Sequence, residues 1–227
     1  MKLRYITQPR PRRPTRKDQI GLVCALIALT LLLIGVLSSI RPGITGVYYL
    51  KVEGLNTLAT FGPLGYCLRV NETIRCEQSI YMGFYPLDVP GILNGTVPEL
   101  FRNPRNVTTS ENTSSSYDSG VFAAHIIALI GVIATLTLLF LRILGFSDRF
   151  HLRGFTAILG LCGCVLALAL GALEYINERD NLNAIYPNIT ATTGPAFITT
   201  GMAMLSILIA AIALLRGCND VPIGAEF

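Results

Sequence analysis

Few residues in this chain have side chains placed to do chemistry, and each points to a different kind. Cys67 and Cys76 enclose a ten-residue segment, a length that suits an oxidised bridge across a hairpin. His125 lies about one and a half turns inside an apolar stretch. An imidazole there titrates near acidic pH if its ordinary pKa of about 6.5 holds. It can equally stay neutral and bond a neighbouring helix. Five asparagines stand in N-x-S/T acceptor sequences: Asn71, Asn94, Asn106, Asn112 and Asn188. Cys218 follows the last apolar stretch and is placed for reversible palmitoylation. Motifs of hydrolases, zinc proteases and P-loop enzymes are absent from the sequence. The two histidines, His125 and His151, are expected on opposite sides of the membrane. The expectation is a non-enzyme without metal or cofactor.

The elements that position these residues are apolar and long. Of 227 residues, 52% are hydrophobic and 14% charged, against about 25% charged in soluble domains. The charge is missing from four windows, 20–40, 120–144, 155–176 and 195–215. Each passes the threshold of about 18 residues for a membrane helix. The first is too long for the apolar core of a cleaved signal peptide and reads as an uncleaved signal anchor. The fold class expected is an all-α membrane protein, a bundle of four transmembrane helices.

Loop charge sets the expected orientation. Lys2, Arg4, Arg10, Arg12, Arg13, Arg16 and Lys17 precede the first window. Arg142, Arg149 and Arg153, against Asp148, surround the connection 145–154. Both segments read as cytoplasmic, which makes 1–19 and 216–227 cytoplasmic tails. The loops 41–119 and 177–194 are then extracellular, and all five sequons fall in them. Such a basic tail meets anionic lipid rather than nucleic acid.

The loop 41–119 is the one sizeable unit outside the membrane. Alternation in Val47–Glu53 and Tyr66–Val70 predicts a small antiparallel β unit pinned by Cys67–Cys76. Gly62-Pro63-Leu64-Gly65 predicts a tight turn entering the bridged strand. The Asn-, Ser- and Thr-rich stretch 103–119 reads as a glycosylated return to the second span. The outer acidic residues Glu53, Glu72, Glu77 and Asp88 are spread along the sequence and read as solvated.

Inside the spans, Gly163, Ala167 and Gly171 recur every four residues and share a helix face. Ala124, Ala128, Gly131 and Thr135, and also Gly201, Ser206 and Ala210, are further small residues. They serve either packing within one bundle or lateral assembly with other copies. Glu174, near the outer end of the third span, reads as a headgroup anchor or a partner of His125. Cys24, Cys162 and Cys164 read as small apolar residues.

Four spans with a long first outer loop carrying Gly62, Gly65, Cys67 and Cys76 as G-x-x-G-x-C…C resemble the fungal Sur-seven/PalI tetraspan family. The motif is also similar to that of the mating-induced regulators of low-affinity calcium uptake. Both resemble animal claudins, whose loop carries W…G-L-W…C…C; this chain has no Trp. The resemblance implies a plasma-membrane protein of cortical domains, cell-wall integrity or ambient-pH sensing, with regulation of calcium influx as a further role. Its expected partners are membrane lipids, other membrane proteins or copies of itself, the cell wall and a cytoplasmic scaffold.

Overall fold

The computed structural model describes residues 15–37, 46–78, 88–105, 120–144 and 150–218. In chain order the elements are α1 (Arg16–Leu37), β1 (Leu50–Gly54), β2 (Thr57–Gly62), β3 (Gly65–Val70), β4 (Thr73–Gln78), α2 (Val89–Asn94), α3 (Val121–Ile143), α4 (Phe150–Gly171), α5 (Asn177–Ile185), β5 (Thr190–Thr193) and α6 (Ala196–Cys218). Asn106 and Asn112, the tail 1–14 and the segment 145–149 lie outside the described residues.

Among the described residues, four helices are long and apolar enough to cross a membrane: Arg16–Leu37, Val121–Ile143, Leu152–Ile185 and Ala196–Arg216. They pack as a ring in which α1 touches α3 and α6, and α4 touches α3 and α6. Large apolar side chains such as Val23, Ile130, Phe155 and Ile198 remain exposed on its outside. Its inside is filled by fully buried Ala25, Ala28, Ala128, Val132, Ala203 and Ile207. Small residues govern the α3–α4 contact. A Cβ on Gly131 would meet the backbone of Gly160, and one on Gly163 would meet that of Ala128. Glycine is required there because the two backbones touch, as happens where packing replaces hydrophobic drive.

The third apolar helix is the longest. It runs 34 residues from Leu152 to Ile185, about 51 Å at 1.5 Å per residue, against a hydrocarbon core of about 30 Å. Its C-terminal part is α5, joined to α4 by a π-helical turn, Ala172–Ile176. The segment 177–194, expected as a loop, is therefore helix to Ile185 and then strand β5. Polar residues dominate α5, but its Leu182, like Tyr175 of the π turn, is buried in one cluster with the sheet. Tertiary packing of that one face maintains the helix.

The β unit is a five-stranded antiparallel sheet in the order β4-β3-β2-β1-β5. The first four strands form a meander with two-residue turns at Leu55–Asn56, Pro63–Leu64 and Asn71–Glu72. Asn56 and Asn71 adopt φ of 59° and 52°, a left-handed conformation that Asn tolerates better than most residues. The turn expected at Gly62–Gly65 is present, with these glycines paired across it. Strand β5 comes from the second loop and pairs Leu50 with Thr193 through Glu53 with Thr190. The Asn183 side chain holds β5 from behind: its Oδ1 accepts from Ala191 N at 2.8 Å, and its Nδ2 donates to Ala191 O at 2.9 Å. Leu50, Val52, Ala59, Phe61 and Leu68 face a core completed by Val89, Leu93, Leu100, Leu182 and Ile189.

Candidate functional site

Tyr49 occupies the junction between sheet and bundle. It precedes β1, and its backbone is fixed on both sides: its N–H donates to Phe61 O at 2.9 Å, and its carbonyl accepts from Gly194 N at 2.9 Å. The side chain is fully buried. Its ring stacks on Tyr175, with centroids 5.0 Å apart, and meets Phe197 edge-on at 4.9 Å. A Cβ on Gly171 would lie 3.3 Å from the Tyr49 ring. The Tyr49 hydroxyl reaches His125 Nε2 at 2.9 Å and Thr200 Oγ1 at 2.7 Å. One side chain from the sheet thus touches α3, the π turn after α4, and α6.

One of the hydrogen bonds at His125 has a fixed sense. His125 Nδ1 lies 2.7 Å from Val121 O, and a carbonyl only accepts, so Nδ1 donates. In a neutral ring Nε2 then accepts from the Tyr49 O–H, and Tyr49 Oη accepts from the Thr200 hydroxyl. With a proton on Nε2 the chain runs the other way: Nε2–H donates to Tyr49, and Tyr49 donates to Thr200. Either sense satisfies these groups, a requirement at a fully buried site. His125 is thus paired with Tyr49 rather than with Glu174, which lies half-buried in the π turn.

Cys67 and Cys76 are joined in a disulfide between β3 and β4. They are direct partners in the antiparallel register, with Cα atoms 4.0 Å apart. Nearby, Tyr66 donates to Glu77 Oε2 at 2.6 Å. Burial, helped by that carboxylate, pushes the phenol up to about 12. Above α5, Glu178 Oε1 accepts from Val89 N at 3.4 Å, while Asp88 caps α2 by accepting from Gly91 N. Burial, with Asp88 adding, pushes the Glu178 carboxyl up to about 7.

The sequon residues Asn71, Asn94 and Asn188 are all exposed and all belong to the sheet end. Asn188 Nδ2 also donates to Arg102 O at 3.3 Å. The Gly163–Ala167–Gly171 face is occupied within the chain, by Ala128 at one end and by Tyr49 and Phe197 at the other. Ala124, Ala128, Gly131 and Thr135 are likewise buried in the bundle. Gly201 has open space around its Cα. Cys24 is half-buried, Cys162 exposed and Cys164 buried. Cys218 is the last residue of α6, and its side chain lies outside the described set.

A second buried polar cluster closes the opposite end of the bundle, and the charge reading of the sequence missed it. Asp18 Oδ1 accepts from Arg142 Nη1 and from Arg153 Nη1, each at 3.0 Å. The three side chains are 8%, 5% and 3% exposed, so the triad joins α1, α3 and α4 away from water. Asp18 Oδ2 accepts from the Thr15 N–H at 2.8 Å and its hydroxyl at 2.6 Å. The Asp18 N–H returns to Thr15 Oγ1 at 3.3 Å. Thr15-Arg16-Lys17-Asp18 is a capping box, the one local signal that could have marked Asp18. Lys17 Nζ donates to Arg216 O at 3.2 Å, tying in the end of α6.

No protein-family model and no curated protein matches the chain.

Proposed function

We propose that this is a non-catalytic tetraspan protein of the plasma membrane that organises a cortical membrane domain or a cell-surface assembly, in support of wall and membrane integrity. In this reading the sheet is extracellular and both termini are cytoplasmic. The observation that carries it is the Tyr49 junction. A sheet bonded and packed onto three helix tops moves with the bundle as one body, so a contact made on the sheet orients the membrane helices beneath it. That suits a protein that arrays neighbours. Orientation is supported by the exposed sequon asparagines at the sheet end and by Lys17, Arg142, Arg153 and Arg216 at the other. The partners are membrane lipids, other membrane proteins or further copies, with wall contacts at the sheet and a cytoplasmic scaffold at the basic end.

Photobleaching of a C-terminal fluorescent fusion in living cells tests the reading. Discrete surface patches that recover slowly are expected; a uniform, quickly recovering signal overturns it. Cys67→Ser is expected to lower surface levels or disperse the patches.

One observation favours a second reading, a membrane sensor of ambient pH. The His125–Tyr49–Thr200 chain can reverse its sense with one proton, and it stands where the sheet joins the bundle. His125→Ala then blunts the cellular response to pH; an unchanged response removes this reading.

A further inference from the structure

The distal end of the sheet carries a groove that none of the roles above uses. It is a shallow, open groove of about 550 Å³, lined by Glu53, Gly54, Asn56, Thr57, Leu58, Arg69 and Asn71. Two left-handed asparagines form its rim. Asn71 N donates to Asn56 O at 3.1 Å, which ties the β1–β2 turn to the β3–β4 turn. Arg69 Nε donates to Asn71 O at 3.4 Å, orienting the guanidinium. Glu53, Leu58 and Arg69 are successive register partners across β1, β2 and β3, so they share a sheet face. The Thr57 hydroxyl is buried and without a hydrogen-bond partner.

We propose that this groove is a saccharide-binding site. The donor set is mixed: the Glu53 carboxylate, which is ion-paired with Lys51, the Arg69 guanidinium and two amides, beside the apolar side chain of Leu58. A cation site would need surplus carboxylates, and the single carboxylate here is already paired with Lys51. A sugar ring presents hydroxyls that both donate and accept around an apolar face, and amides, carboxylate and guanidinium match that alternation. The volume is within the range of small-ligand sites, about 300–1,000 Å³. The sugar has two potential sources. Asn71 is itself a sequon residue on the rim, so the first sugars of its own glycan can fold into the groove; alternatively an external saccharide enters it. The proposal rests on the outward placement of the sheet.

The test uses the full chain in nanodiscs and triacetylchitotriose as probe, read by saturation-transfer NMR. Thr73→Val removes the Asn71 sequon without changing a groove residue. Thr73→Val is expected to bind the probe, and adding Arg69→Ala is expected to weaken binding about tenfold, the loss of a charge-assisted hydrogen bond. Should Arg69→Ala fail to fold, Glu53→Gln serves in its place. If the glycosylated protein excludes the probe that Thr73→Val admits, the groove holds its own glycan; equal binding by both identifies an external sugar. No binding by Thr73→Val, or binding indifferent to both groove variants, overturns the site. An endoglycosidase mobility shift that is smaller by one glycan in Thr73→Val checks the placement separately. If no sequon is modified, the placement fails while probe binding still decides the groove.

Discussion

The two ends of the bundle are both closed by buried polar side chains, yet they use different physics. At the sheet end, Tyr49, His125 and Thr200 form hydrogen bonds wrapped in aromatic rings. At the other end, one carboxylate holds two guanidiniums. The first joins the sheet to the helices; the second joins helix ends to one another. Hydrogen bonds can be made in either sense and tolerate a proton, so they suit a junction. Buried charges cannot be left unmatched, so an ion triad suits a fixed clamp: removing one member costs far more than the pair contributes.

The largest expected effect breaks the clamp. Asp18→Asn keeps the shape but leaves Arg142 and Arg153 buried without their carboxylate, and it is expected to cost about 3–5 kcal/mol. Thermal unfolding in nanodiscs measures this, and a loss below about 1 kcal/mol would show the charges to be solvated. Next comes a titration at the sheet end. Glu178 has a pKa raised from 4.5 to about 7, so the folded state binds its proton more tightly than the unfolded chain does. Its contribution is fully present below about pH 4.5 and is lost as pH rises through about 7, roughly 2–3 kcal/mol in all. Glu178→Gln is expected to flatten this slope, and an unaltered pH profile would assign it to another group. The smallest effect comes from Tyr49→Phe, which keeps the ring stacking and removes the hydroxyl, costing about 1–3 kcal/mol by stranding buried partners. In combination with Asp18→Asn the losses should add, since the two clusters share no partner. Clear non-additivity would mean that the ends communicate through the bundle.

These comparisons also show what could be read from residue order. The apolar windows were legible because hydropathy is local, and the Cys67–Cys76 bridge because only these two cysteines stood in the long loop. The turn at Gly62–Gly65 was legible from turn chemistry. The helix 177–185 was not, because its residues are polar and only Leu182 and its neighbours, packed on the sheet, justify the conformation. Strand β5 was hidden for a related reason: Thr190–Thr193 is a strand only because β1 offers its edge. Asp18 passed as one acid in a basic tail, since nothing local indicates that two arginines 124 and 135 residues away converge on it.

The sequence by itself determined four apolar helices, their antiparallel succession, a disulfide-pinned sheet in the first loop and the positions of the sequons. These follow from composition and spacing, which act over a few turns of chain. Tertiary structure decided which small residues face a partner helix, that both loops share one sheet, and that Tyr49 meets His125 across 76 positions. Those depend on burial, because a polar group withdrawn from water must take whatever partner the packed fold brings within 3 Å.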